Sequence, residues 1–96
     1  MKNITKATLH NYKYSKTIEL NYEQIGQLNE LMKNGLALAE AEKRVYLRTI
    51  VFSYDGQKKE NEISLYKYGF IKFNKKYYVV KDSHKNIFNA FVEAAK

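Results

Sequence analysis

The chain has 96 residues, 45% of them hydrophobic and 15% aromatic, with 17 basic against 10 acidic side chains and a formal charge of +7. That length holds one modest core, so one domain over residues 1–96 is expected and two are excluded. Cysteine is absent, which removes disulfides, thiolate catalysis and zinc–cysteine sites and fits a reducing, cytoplasmic setting.

No apolar run approaches the roughly 20 residues of a membrane span, and the first residues lack a signal-peptide core, so no membrane partner is expected. The positive charge is segregated. Residues 21–42 carry one lysine against four glutamates, whereas residues 63–81 carry five lysines and no acid. A field of that sign favours nucleic acid, an anionic membrane surface or an acidic protein surface, and it also keeps a small protein soluble. Frequent Lys, Asn, Ile and Tyr with no Pro or Trp fit an AT-rich coding sequence, and small basic cysteine-free chains of this kind are common in phage and mobile elements.

Ile4 to Tyr12 and Lys16 to Leu20 alternate as strands around the polar step Lys13 to Ser15, which predicts a hairpin. Asn21 is an N-cap with Gln24 completing a capping box, and Ile25, Leu28, Leu31 and Met32 fall on one helical stripe. Asn34-Gly35 closes that helix, with glycine expected in the left-handed conformation. Residues 36–44 are rich in helix formers and predict a second, shorter helix, although Leu36 and Leu38 also alternate as in a strand.

Val45 to Tyr54 reads as a strand ending at the Asp55-Gly56 turn. A charged loop, Gln57 to Glu62, leads into Ile63–Lys81, where aromatic side chains and lysines alternate. Read as one strand to Phe73, this stretch sets Ile63, Leu65, Ile71 and Phe73 against Tyr66, Tyr68, Phe70 and Lys72. A two-residue turn at Asn74-Lys75 then pairs Phe73 with Lys76, Ile71 with Tyr78, Phe70 with Val79 and Tyr68 with Lys81. Ser83 is the expected cap of a last helix, His84 to Lys96, whose Ile87, Phe88, Phe91 and Val92 cover the aliphatic face. The fold class is α+β: an antiparallel sheet of four to six strands packed against two or three helices.

Chemistry is sparse. Asp82-Ser83-His84 brings together three residue types of a hydrolytic triad, yet sequence neighbours do not generally reach its geometry. His10 and His84 have no carboxylate or cysteine at ligand spacing, so no metal site is expected. Glu40 and Glu42 point apart on a helix, and Gly26, Gly35, Gly56 and Gly69 form no phosphate loop. The chain is therefore expected to be no enzyme, with neither catalytic residue nor cofactor.

Tyr68-Gly69-Phe70-Ile71-Lys72-Phe73 resembles the tail of the RNP1 signature of RNA-recognition motifs, whose aromatics stack bases from a central strand. The likeness departs at Tyr66 and Lys67, where that family has a basic residue and glycine, and in the elements after the strand. It assigns no family, but it implies the same use of rings. The leading expectation is a non-catalytic module that engages nucleic acid, single-stranded by preference, or the groove of a nucleoprotein complex. Tyr66, Tyr68, Phe70 and Tyr77 would stack, while Lys72, Lys75, Lys76, Lys81 and Arg48 would meet phosphates. The alternative is a phage-encoded, anti-CRISPR-like or other anti-defence inhibitor that uses the rings as anchors on a protein. Monomer and edge-paired homodimer are both compatible with the sequence.

Overall fold

Seven antiparallel strands and two helices follow one another in the computed structural model, which describes residues 2–96. They are β1 (Ile4–Asn11), β2 (Lys16–Glu19), α1 (Tyr22–Asn34), β3 (Leu36–Ala39), β4 (Tyr46–Tyr54), β5 (Asn61–Tyr66), β6 (Phe70–Phe73), β7 (Lys76–Val80) and α2 (Lys85–Ala94). The order across the sheet is β2-β1-β4-β5-β6-β7-β3. Its radius of gyration, 12.4 Å, matches the roughly 13 Å of a compact domain this long.

Alternation explains the layering. Leu9, Ile50, Phe52, Ile63, Leu65, Ile71 and Val80 point to one face and are fully or almost fully buried. Both helices close that face, α1 through Leu28 and Leu31 and α2 through Phe88 and Phe91. Each such leucine or phenylalanine contributes about 1.5–3 kcal/mol by leaving water. The other face stays open.

Several local signals act as expected. The first hairpin pairs Leu9 with Ile18 and His10 with Thr17. At the start of α1, Asn21 Oδ1 accepts from the Gln24 amide at 2.9 Å, and Gln24 Oε1 accepts from the Asn21 amide at 2.9 Å. Asn74 and Lys75 take φ of 50° and 65°, the paired positive values of a type I′ turn, and the register is the expected one at Phe73–Lys76, Ile71–Tyr78 and Phe70–Val79.

Four expectations are corrected. Residues 36–39 are not helical but form β3, which pairs with β7 from Leu36–Val80 to Ala39–Tyr77. Helix propensity amounts to tenths of a kilocalorie per residue, and a sheet edge offering backbone partners overrides it. Residues 40–45 then run without regular structure back towards β4, in the middle of the sheet. The stretch 63–73 is also two strands: it reverses at Lys67-Tyr68-Gly69, where Tyr68 and Gly69 have φ of 72° and 82°, and Tyr66 pairs with Phe70. These two changes give seven strands in place of four to six.

Gly35 has a φ of −101°, so no left-handed cap is formed. Its need for hydrogen in place of a side chain is steric: a Cβ would stand 2.8 Å from His84 Cγ and 2.9 Å from the Leu31 carbonyl oxygen. Ser83 caps nothing, because a 3-10 turn over Asp82–His84 precedes α2 and the Ser83 hydroxyl lies 2.7 Å from His84 Nδ1.

Candidate functional site

The open face is aromatic on one side of its centre. Tyr46 and Tyr66 meet edge to face across β4 and β5, with centroids 6.1 Å apart at 78°, and Tyr66 meets Tyr77 of β7 at 6.3 Å and 47°. The Lys72 ammonium lies 5.5 Å from the Tyr77 ring centre, and the Arg44 guanidinium 3.5 Å from that of Phe70. Ser64, Val51 and Thr8 carry the surface on towards β1.

Tyr46 reaches this face through a bulge. By strict alternation it would share a side with Ile50 and Phe52, but the register shifts between Tyr46 and Arg48, so that Tyr46 opposes Tyr66 while Arg48 opposes the buried Leu65. An extra residue in one strand turns the preceding side chain over. The Tyr46 hydroxyl lies 2.5 Å from Thr49 Oγ1, and burial pushes its pKa above the ordinary tyrosine value of 10.0.

Beyond Tyr46 the face opens into a cleft at the end of the sheet, about 620 Å3 in volume, lined by Tyr12, Tyr14, Val45, Tyr46, Lys13 and Lys96 among others. The first two tyrosines sit on a 3-10 turn, Tyr12–Tyr14, between β1 and β2, where Ser15 takes the left-handed conformation. Tyr12 stacks on His10 at 5.4 Å and 13°. Tyr12, Tyr14 and Tyr46 are 57%, 62% and 41% exposed, so their rings are reachable from solvent, and no acidic side chain lines the cleft.

The candidates named from sequence are thereby redistributed. Tyr66, Phe70, Lys72 and Tyr77 do share the open face, but Phe70 is covered by Arg44. Tyr68 leaves that face on the β5–β6 turn and stands beside Lys85 and Asn89 of α2. Lys75 and Lys76 occupy the opposite end of the strands, Lys76 three residue steps or about 10 Å from Tyr66 along the strand direction and Lys75 in the turn beyond it. Lys81 follows β7 and donates its backbone N–H to Gly35 at 2.7 Å.

Arg48 also lines the tyrosine cleft but offers it little free surface. It lies on the helix side of the sheet, 8% exposed, and its guanidinium donates to the carbonyls of Val92 and Leu47 at 2.9 Å each. With Asn11, whose Nδ2 donates to Ala95 O at 2.8 Å, it satisfies the last carbonyls of α2, where a cation also opposes the helix dipole. Alternation with Ile50 and Phe52 was the sequence signal for this. Tyr12, Tyr14, Tyr46 and Arg44 are the residues sequence reasoning missed; only the exposed pair Tyr12 and Tyr14 flanking Lys13 offered a hint.

One further cluster has chemical character. His84 Nε2 lies 2.6 Å from Glu30 Oε2 of α1, so hydroxyl, imidazole and carboxylate form a chain through Ser83, His84 and Glu30. It stands at the C-terminal end of α1, where exposed carbonyls disfavour a developing oxyanion. The cluster serves to tie α1 to the start of α2. Among the described residues no group of three metal-ligating side chains converges, and no helix is long and apolar enough to cross a membrane.

Fold and face together define a class: a small α+β domain whose helices back one side of an antiparallel sheet and leave an aromatic, basic side open. No family model and no curated protein matches the sequence. The fold is similar to the crystal structure of a "putative lipoprotein" from Clostridium perfringens, with a TM-score of 0.63 and 19% identity over 97% of this chain and 84% of that one. At that identity the likeness is one of fold.

Proposed function

We propose that the protein is a non-catalytic binding module that engages single-stranded nucleic acid along the open face, entering at the tyrosine cleft. The observation that carries this reading is the cleft itself: three accessible rings beside Lys13 and Lys96, continuous through Tyr46 with Tyr66, Tyr77 and Lys72. Rings take any base by its π-face and ammonium groups take the backbone, which together make a sequence-tolerant platform.

Titration of labelled single-stranded DNA and RNA at two salt concentrations tests it. Saturable binding that weakens steeply with salt is expected. Tighter binding of oligonucleotide than of inorganic polyphosphate isolates the contribution of the rings. Absence of binding at both salts removes the proposal.

The protein-inhibitor reading draws on one specific observation: Val45 is 61% exposed in the same cleft as the tyrosines, and an aliphatic–aromatic pocket rimmed by lysines is the form of a protein hot spot. A single stoichiometric partner that survives nuclease treatment on purification from the native host favours it. Cytoplasmic location belongs to both readings, and cell fractionation checks it against the lipoprotein description of the structural neighbour.

A further inference from the structure

On the other side of the sheet, between α1 and the end where β1 begins, lies a recess of about 240 Å3. Its floor is aromatic, made of Tyr54, Phe73 and Tyr78 from β4, β6 and β7, and its walls are Ile4, Met32 and Leu36. The helices cover the sheet through Leu28, Leu31, Phe88 and Phe91, and this corner lies beside the last turns of α1, where Tyr54, Phe73, Met32 and Leu36 pack on the core while remaining partly open.

The polar groups at this corner divide into spent and available ones. Asn29 is spent: its Oδ1 accepts from the Ile4 amide at 2.7 Å, and its Nδ2 donates to Ile4 O at 2.9 Å and to Ile25 O at 3.2 Å. A guest would meet Lys2 and Lys33 at the mouth; the Lys33 ammonium already donates to Asn3 Oδ1 at 2.5 Å and keeps two further donors. No acidic side chain lines the recess. The mouth is therefore complementary to one negative charge and the interior to an apolar body.

We infer that this recess binds a small amphipathic carboxylate, its apolar body against Phe73 and Tyr54 and its head between Lys2 and Lys33. The volume falls below the 300–1,000 Å3 typical of drug-sized ligands, which limits the body to a single ring or a short acyl chain. This site is independent of the open face and uses none of its residues.

Backbone-amide NMR titration of the full chain tests the inference, with octanoate and 4-ethylbenzoate as probes and octylammonium and octanol as charge controls. One or both carboxylates shift the amides of Ile4, Met32, Leu36 and Phe73 saturably, and which one does so assigns the body as chain or ring. The octylammonium ion does not. Lys33→Glu reverses one mouth charge and weakens carboxylate binding by about fivefold or more, with no effect on octanol. Met32→Trp fills the recess and abolishes binding; should that variant not fold, Lys33→Glu still decides the matter. Absence of saturable shifts, equal binding of octylammonium, or shifts centred on Tyr12 and Tyr46 overturns the inference.

Discussion

The Arg44 guanidinium lies over the Phe70 ring, its central carbon 3.5 Å from the ring centroid and its side chain 13% exposed. This contact fixes the irregular connection 40–45 to the open face, because the same guanidinium reaches the Glu40 carbonyl at 3.2 Å. A desolvated cation over a ring is worth about 0.5–2 kcal/mol. Arg44→Ala is expected to lower stability by about 1 kcal/mol in urea denaturation. Arg44→Lys recovers less than half of that, since an ammonium does not stack as a planar guanidinium does.

Tyr46 and Tyr68 separate the structural reading of the site from the alternating one. Tyr46 stands at the junction of cleft and face, whereas Tyr68 stands on the β5–β6 turn and does not line the cleft. Tyr46→Ala is expected to weaken single-stranded DNA binding by about 1–3 kcal/mol, the value of one stacked base, and Tyr68→Ala to leave it unchanged. The paired titrations at one salt concentration measure this directly.

Lys75 occupies the second position of a type I′ turn at a φ of 65°. Left-handed backbone costs a non-glycine residue about 1–2 kcal/mol, part of which glycine returns through its freer unfolded chain. Lys75→Gly is therefore expected to raise stability by about 0.5–1 kcal/mol, read as a higher denaturation midpoint with an unchanged slope.

Gly35→Ala has the opposite sign. The new methyl meets the His84 ring at 2.8 Å and, more seriously, a fixed backbone oxygen of Leu31 at 2.9 Å. Overpacking of this kind costs about 1–3 kcal/mol. Thermal melting followed by circular dichroism is expected to show the loss.

The pH response should trace to Glu30. The hydrogen bond from His84, then that from Asn34, holds its carboxyl below the ordinary value of 4.5. A depressed folded value means that stability is fully present above about 4.5 and is lost as pH falls through the folded value. Glu30→Gln is expected to flatten that acid slope in urea midpoints measured between about pH 6 and pH 3, while Glu42→Gln leaves it in place.

Much of the fold was legible because its signals are local. The Asn21–Gln24 capping box, the Asn74-Lys75 turn and the stripe Phe88–Phe91 each depend on a few neighbouring side chains, and each stands where the sequence puts it. The site was less legible. Alternation carried through Gly69 kept Tyr68 on a face that a turn removes it from, and the helix formers of 36–44 masked an edge strand. The bulge at Tyr46 exchanges two sides of a sheet, and no residue type announces it.

By itself the sequence determined most strand and helix periods, the Asn21–Gln24 cap, the Asn74-Lys75 turn and a basic charge concentrated beside tyrosines, all of which come from the preferences of short segments. Which strand neighbours which was decided only by the tertiary structure, because pairing is a contest for backbone partners among segments far apart in the chain. That contest brought Arg44 over Phe70, drew Arg48 to the carbonyls of α2, and gathered Tyr12, Tyr14 and Tyr46 into one cleft.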